Sequence, residues 1–216
     1  MAGSACWSLR PYGLWVVLVN VWMFFSGPAF AENITILALG DSLTAGFGLV
    51  KTDSFPMQME RTLQQTGRNV RLVNAGVSGD TSAGGLSRLT WSLAENPDAL
   101  ILELGANDGL RGLDPKQTEA NLDGIIREVK TREIPILLAG MRAPPNLGPE
   151  YEAEFNGLYR RLAEKHKILF YPFFLDGVAA VPHLNQADGI HPNAEGVAVI
   201  VQRMRPIILR LIGKIR

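Results

Sequence analysis

A serine behind an apolar run, an asparagine in a glycine-flanked turn, and an aspartate three residues before a histidine carry the chemistry that this 216-residue chain could do. Ser42 follows Ile34-Thr35-Ile36-Leu37-Ala38-Leu39, an apolar stretch that reads as a short, fully buried strand. Gly40 and Asp41 break it. A serine where a buried parallel strand ends lies on the face where open α/β sheets put their ligands. Its hydroxyl can attack a substrate if a histidine takes its proton. Asp188-Gly189-Ile190-His191-Pro192-Asn193 supplies that base. The carboxylate of Asp188 can curl back through Gly189 to the far ring nitrogen, fixing the tautomer and stabilising the imidazolium. Pro192 restricts the backbone of His191.

Such an attack develops charge on a carbonyl oxygen, and two further stretches could receive it. In Asn74-Ala75-Gly76-Val77-Ser78-Gly79-Asp80-Thr81, Gly79 has no side chain to block its backbone N–H. In Gly105-Ala106-Asn107-Asp108-Gly109 the Asn107 amide can donate. Each stretch also reads as an ordinary strand-to-helix turn rich in turn formers. Asp188-Gly189 before a helix cap reads the same way.

Other chemistries fit less well. Gly40 to Gly46 is glycine-rich after a strand, but no Lys-Ser or Lys-Thr follows, and the third glycine of a dinucleotide fingerprint is missing. Position 44 is Thr, so Ser42 is not in a Gly-x-Ser-x-Gly elbow. His183 with Asp188 and His191 lacks a fourth ligand, and no metal or other cofactor is called for. Asp41 reads as shaping the turn, and His166, between Lys165 and Lys167, as a solvated cation near a helix end.

The elements that must position these residues alternate. Asp53 can cap a helix through about Gly67, with Phe55, Met59 and Leu63 on one face. Val70 to Asn74 are a second strand, and Thr81 to Asn96 suit a helix with Leu86, Leu89 and Leu93 inward. Ala99 to Leu104 are a third strand. Asp114-Pro115 opens a helix that buries Leu122, Ile125, Ile126 and Val129. Pro135 to Ala139 and Ile168 to Tyr171 are the fourth and fifth strands, with a helix from Pro149 between them. The last helix runs from Asn193, and Pro206 should kink or restart it. This alternation predicts a doubly wound α/β sandwich with a parallel sheet.

The four blocks around Ser42, Gly79, Asn107 and His191 occur in the order that marks the SGNH hydrolases, also called the GDSL esterases and lipases. The chain resembles that family over residues 32–216, and most of all its small acyl-CoA thioesterase I, lysophospholipase and arylesterase branch. The supporting text is Glu103-Leu104-Gly105-Ala106-Asn107-Asp108-Gly109-Leu110-Arg111-Gly112 and Asp188-Gly189-Ile190-His191-Pro192-Asn193. The resemblance implies a three-layer α/β/α sandwich on a flavodoxin-like five-stranded parallel sheet. It implies Ser42 as nucleophile, His191 as base and Asp188 as its orienting carboxylate. The oxyanion donors would be the N–H of Ser42, the N–H of Gly79 and the side chain of Asn107. Two glycines lie near that hole, and Gly79 is the match by position, ahead of Gly76. The implied activity is hydrolysis of acyl or aryl esters, and of thioesters in part of the branch, through an acyl-enzyme.

Apolar loops on the active-site edge favour an acyl chain or aryl ester over a sugar. They are Phe47 with Leu49, Leu110 with Leu113, Met141 to Leu147, and Phe173 to Val178. Phe47, Leu110, Arg111 and Met141 are the candidate substrate-binding residues. Gly109 and Gly112 around Leu110 and Arg111 allow a hinge, and the family resemblance suggests that this loop settles over a bound chain. A carbohydrate acetyl-esterase is the rival enzyme, and an acyl-binding protein without catalysis the rival from another class.

The partner is thus a small-molecule ester. Charge does not point to nucleic acid: 21 basic residues balance 21 acidic ones. The acid-free set Arg203, Arg205, Arg210, Lys214 and Arg216 reads as a solvated helix face suited to a helix C-terminus, or as attraction to anionic lipid at the membrane periphery. The oligomeric state is not legible. Leu14 to Phe25 are nearly all apolar, and Ala29-Phe30-Ala31 is a small-x-small cleavage site, so residues 1–31 read as a signal peptide. Cleavage after Ala31 would deliver residues 32–216 to the periplasm or outside the cell, with Cys6, the one cysteine, removed.

Overall fold

Five apolar runs form the strands β1 (Ile34–Gly40), β2 (Val70–Gly76), β3 (Ala99–Glu103), β4 (Ile136–Ala139) and β5 (Leu169–Tyr171) of one sheet. All neighbours are parallel and the order is β2-β1-β3-β4-β5. This is the expected five-stranded parallel sheet of an α/β/α sandwich. The computed structural model describes residues 1–4 and 33–215, so the apolar run and cleavage site of the expected leader lie outside the described residues.

The helices are α1 (Ser42–Ala45), α2 (Phe55–Gln64), α3 (Ser82–Ser87), α4 (Leu89–Ser92), α5 (Ala106–Leu110), α6 (Pro115–Thr131), α7 (Pro149–His166) and α8 (Ala194–Ile212). α2 and α8 pack together on one side, and α6 packs against α3 and α7. The α6 stripe Leu122, Ile125, Ile126 and Val129 is fully buried, worth roughly 1.5–3 kcal/mol per side chain. Asp114 caps α6 by accepting from the Lys116 N–H, with Pro115 behind it.

Several expectations are corrected. Asp53 does not cap α2: it ends a 3-10 turn, Lys51–Asp53, and Ser54 stands at the cap position. The single helix expected over Thr81 to Asn96 is broken into α3, α4 and a 3-10 turn, Leu93–Glu95, with Arg88 non-helical between the first two. Gly84 and Gly85 weaken that segment, and the Arg88 guanidinium reaches back to the Gly40 and Ala75 carbonyls and to Asp80. α8 runs through Pro206 without restarting. Gln202, whose carbonyl loses its N–H partner there, is exposed to water. His166 is not a solvated cation, since its ring is mostly buried, with Nε2 2.6 Å from Asp123 Oδ1. Phe174 and Val178 belong to the core and not to the active-site edge; Phe174 packs edge-on against Phe55.

Candidate active site

From the adjacent strands β1 and β3 the chain departs in opposite directions across the sheet, to β2 and to β4. A crevice opens at the carboxyl ends of such a pair. Because the strands are parallel, Ser42 after β1, Gly79 after β2 and Asn107 after β3 all come to that edge.

The nucleophile turn is packed tightly. Asp41 caps α1 by accepting from the Leu43 N–H at 3.0 Å. A Cβ on Gly40 would lie 2.1 Å from Thr44 Oγ1 and 2.5 Å from Glu103 Oε2. A Cβ on Gly76 would lie 2.2 Å from the Ala45 nitrogen. Both glycines therefore serve close approach. The Gly76 N–H is engaged by Asn74 Oδ1, whereas Gly79 adopts a left-handed turn with φ 83°.

His191 arrives from the far end of the chain. Asn193 caps α8 by accepting from the Glu195 and Gly196 N–H groups, and it donates to the His183 carbonyl. The Gln186 N–H donates to the His191 carbonyl at 2.8 Å. Its side-chain amide donates to the carbonyls of Phe47 and Pro192, tying the histidine loop to the loop behind Ser42. His191 Nε2 then lies 2.9 Å from Ser42 Oγ, and Nδ1 2.7 Å from Asp188 Oδ2. Asp188 Oδ1 accepts from the backbone N–H groups of Ile190 and His191. Bonds from the His191 amide and ring, and from the Ile190 amide, hold the Asp188 carboxyl down to about 2.

Asn107 is more engaged than its sequence context suggests. Its Nδ2 donates to the Asp80 carbonyl at 2.9 Å and to Asp41 Oδ2 at 3.2 Å. Behind it the buried Asp108 accepts from the Ser82 N–H and Oγ and from Thr118 Oγ1, which anchors α5. Burial pushes the Asp41 carboxyl up to about 6, against the pull of its bonds from Leu43 and Asn107. Burial and then the Asp41 charge push Glu103 well above the carboxylate range.

The four candidate substrate residues separate. Leu110 and Met141 line a pocket of about 380 Å³ that opens on Ser42, Asn107 and His191, with Ala143, Pro144 and Phe173 in its walls. Phe47 does not line it. Its ring lies 4.6 Å from that of His191, beside a narrow cleft with Leu49, so it buttresses the histidine. Arg111 does not line it either: its guanidinium donates to the Gly79 carbonyl at 2.9 Å, bracing that turn. Gly109 is helical and packed against the Phe155 ring, whereas Gly112 has φ 62°, so the two glycines are not equivalent hinges. Gln186 and Arg88 left no signal in the sequence. Glu103 did, as a charge ending an otherwise apolar strand.

Residues 38–199 match the GDSL-like lipase/acylhydrolase family. The chain belongs to that family. It is a serine hydrolase of ester bonds, of the arylesterase, lysophospholipase and thioesterase type. It is 40% identical to the esterase TesA of Pseudomonas aeruginosa over 179 residues, 82% of this chain and 89% of that protein. It is 39% identical to the thioesterase 1/protease 1/lysophospholipase L1 of Escherichia coli K12 over 171 residues, 79% of this chain and 81% of that one. Among solved structures, AlinE4, described as an SGNH-hydrolase family esterase, is 49% identical with a TM-score of 0.71, covering 83% of this chain and 96% of that one. The psychrotrophic esterase EstA from Pseudoalteromonas sp. aligns with a TM-score of 0.79 at 32% identity, over 84% of this chain and all of that one. This GDSL-like hydrolase therefore shares sequence and sheet with esterases across nearly the whole of their length.

Proposed function

We propose that this hydrolase cleaves acyl or aryl esters by nucleophilic attack of Ser42, with the acyl chain seated in the pocket between Leu110, Met141 and Phe173. The chain of contacts from Ser42 Oγ through the His191 ring to Asp188 carries the reading. His191 Nε2 takes the Ser42 proton as Oγ attacks the carbonyl carbon. The oxyanion is met by the N–H groups of Ser42 and Gly79 and by Asn107 Nδ2, which exchanges its longer bond to Asp41 for the new charge. His191 returns the proton to the leaving alcohol or thiol, and water, deprotonated by the same ring, releases the acid.

The apolar walls of the pocket support acyl or aryl groups over sugars. A series of nitrophenyl esters of rising chain length, assayed beside acetylated sugars, tests this. Rates that rise with chain length are expected, and preference for the sugars would favour a carbohydrate acetyl-esterase. Labelling by a fluorophosphonate, lost in Ser42→Ala, separates a hydrolase from a passive binder.

Residues 1–31 are read as an export signal cleaved after Ala31, giving a periplasmic or secreted enzyme of residues 32–216. The start of the first strand at Ile34 and of the family match at residue 38 supports this. N-terminal sequencing of the envelope fraction tests it, with Glu32 as the expected first residue.

A further inference from the structure

Glu103 ends the central strand β3, and nothing in the proton transfer above uses it. Its carboxyl is buried beneath the nucleophile turn. Oε2 accepts from Thr44 Oγ1 at 2.7 Å and from the Asp41 N–H at 3.4 Å. Thr44 stands two residues after Ser42 in α1. Oε1 is buried and has no hydrogen-bond partner among the described residues. Asp41, in turn, caps α1 and accepts from Asn107 Nδ2. One carboxyl therefore stands at the root of a network that reaches Ser42 from β1 and Asn107 from β3. Only the absence of a side chain at Gly40 lets it come so close.

We propose that Glu103 is a positioning residue for acyl transfer, clamping the Ser42 turn to the end of β3 through Thr44 Oγ1 and the Asp41 amide. The clamp keeps the Ser42 hydroxyl in register with the Asn107 amide, and so rests on the roles given to those two residues above. Reacting groups displaced by about 1 Å lose on the order of 100-fold in rate. A clamp between adjacent strand ends is where such a displacement would begin.

The clamp acts as a neutral acid. An unpartnered, charged oxygen in a dry site is far costlier than an unpartnered neutral one. The groups facing it are Asp41 and Thr44 from the nucleophile turn and Tyr159 from α7, with Asp108 of α5 behind them. Arg88, the nearby cation, donates to the Gly40 carbonyl and is already paired with Asp80. Ionisation of Glu103 would set a second negative charge beside Asp41 and loosen the turn.

The test is kcat, KM and the rate of fluorophosphonate labelling of Ser42 from about pH 6 to 10, with circular dichroism melts, on Glu103→Leu, Glu103→Gln and Thr44→Val. Glu103→Leu should lower kcat and labelling roughly 10- to 100-fold with KM within about twofold. Thr44→Val, which removes one hydrogen bond, should lower them up to about tenfold. Glu103→Gln keeps an acceptor oxygen and cannot ionise. It should stay within about threefold of the parent at pH 7. Parental kcat and labelling in a folded Glu103→Leu or Thr44→Val would overturn the proposal. So would a loss of more than about tenfold in a folded Glu103→Gln at pH 7. If Glu103→Leu does not fold, Thr44→Val and Glu103→Gln decide on the same criteria. Persistent labelling of Ser42→Ala would instead strike at the nucleophile and leave the clamp a separate question.

Discussion

Asp41 and Asp188 lie on either side of Ser42 and are held in opposite ways. Asp41 is walled in at the end of β1, and burial lifts it to about 6. Asp188 sits on an open loop with over a third of its side chain in water, and hydrogen bonds hold it down to about 2. The linkage signs are opposite too. Asp41 binds its proton more tightly folded than unfolded, so its contribution to stability is present below about 4 and lost as pH rises through about 6. The bonds to Asp188 stabilise above the ordinary carboxylate range and are lost as pH falls toward about 2. The strand-end region is built for rigidity around the serine. The loop region is built to present a permanently charged carboxylate to a histidine.

Deleting the pair that joins the two regions should have the largest effect. Ser42→Ala or His191→Ala should cost roughly 10⁵- to 10⁶-fold in kcat with an unchanged melting temperature, read by steady-state kinetics and circular dichroism. Near-parental turnover in either folded variant would end the mechanism. Asp188→Ala should cost less, roughly 10³- to 10⁴-fold, because it orients the base without being the base. Because the carboxylate is open to water, only a small fall in melting temperature is expected from the loss of its bonds to the Ile190 and His191 amides.

Asn107→Ala comes next, at roughly 100- to 1000-fold in kcat with little change in KM. It should lower the melting temperature more than Asp188→Ala does, because it strips a bond from the buried Asp41. A KM effect with unchanged kcat would make Asn107 a substrate binder instead.

Since Asp188 stays ionised down to about 2, it does not set the acid limb of kcat/KM, which should rise toward neutral pH as a histidine base requires. A rate falling steadily from about pH 5 to 8 would contradict a histidine base. The smallest effect is expected at the pocket rim. Leu110 is 54% exposed there, and Leu110→Ala should weaken long acyl esters more than acetyl esters, by up to about 0.8 kcal/mol for each methylene it had covered. Equal losses on both esters would mean that no chain reaches it.

The features legible along the chain are local ones. Apolar runs and 3.6-residue stripes marked the five strands and the α6 and α8 faces, because backbone periodicity is a property of consecutive residues. Asp114-Pro115 and Asn193 marked helix starts for the same reason, and Asp188-x-x-His191 closes its own ring of contacts within three residues. The four blocks were legible because each lies at one strand end or helix start. Only the tertiary structure decided what depends on residues distant in the chain. Strand order made β1 and β3 neighbours, and that alone sets Glu103 under Thr44 and Asn107 beside Asp41. Arg88 interrupts the expected helix, already weakened by Gly84 and Gly85, where its guanidinium reaches carbonyls of β1 and β2. Arg111 and Phe47, plausible pocket residues by type, turned to the Gly79 carbonyl and the His191 ring. Which way a side chain on an edge loop points depends on the partners that the fold brings within reach, and no spacing along the chain encodes them.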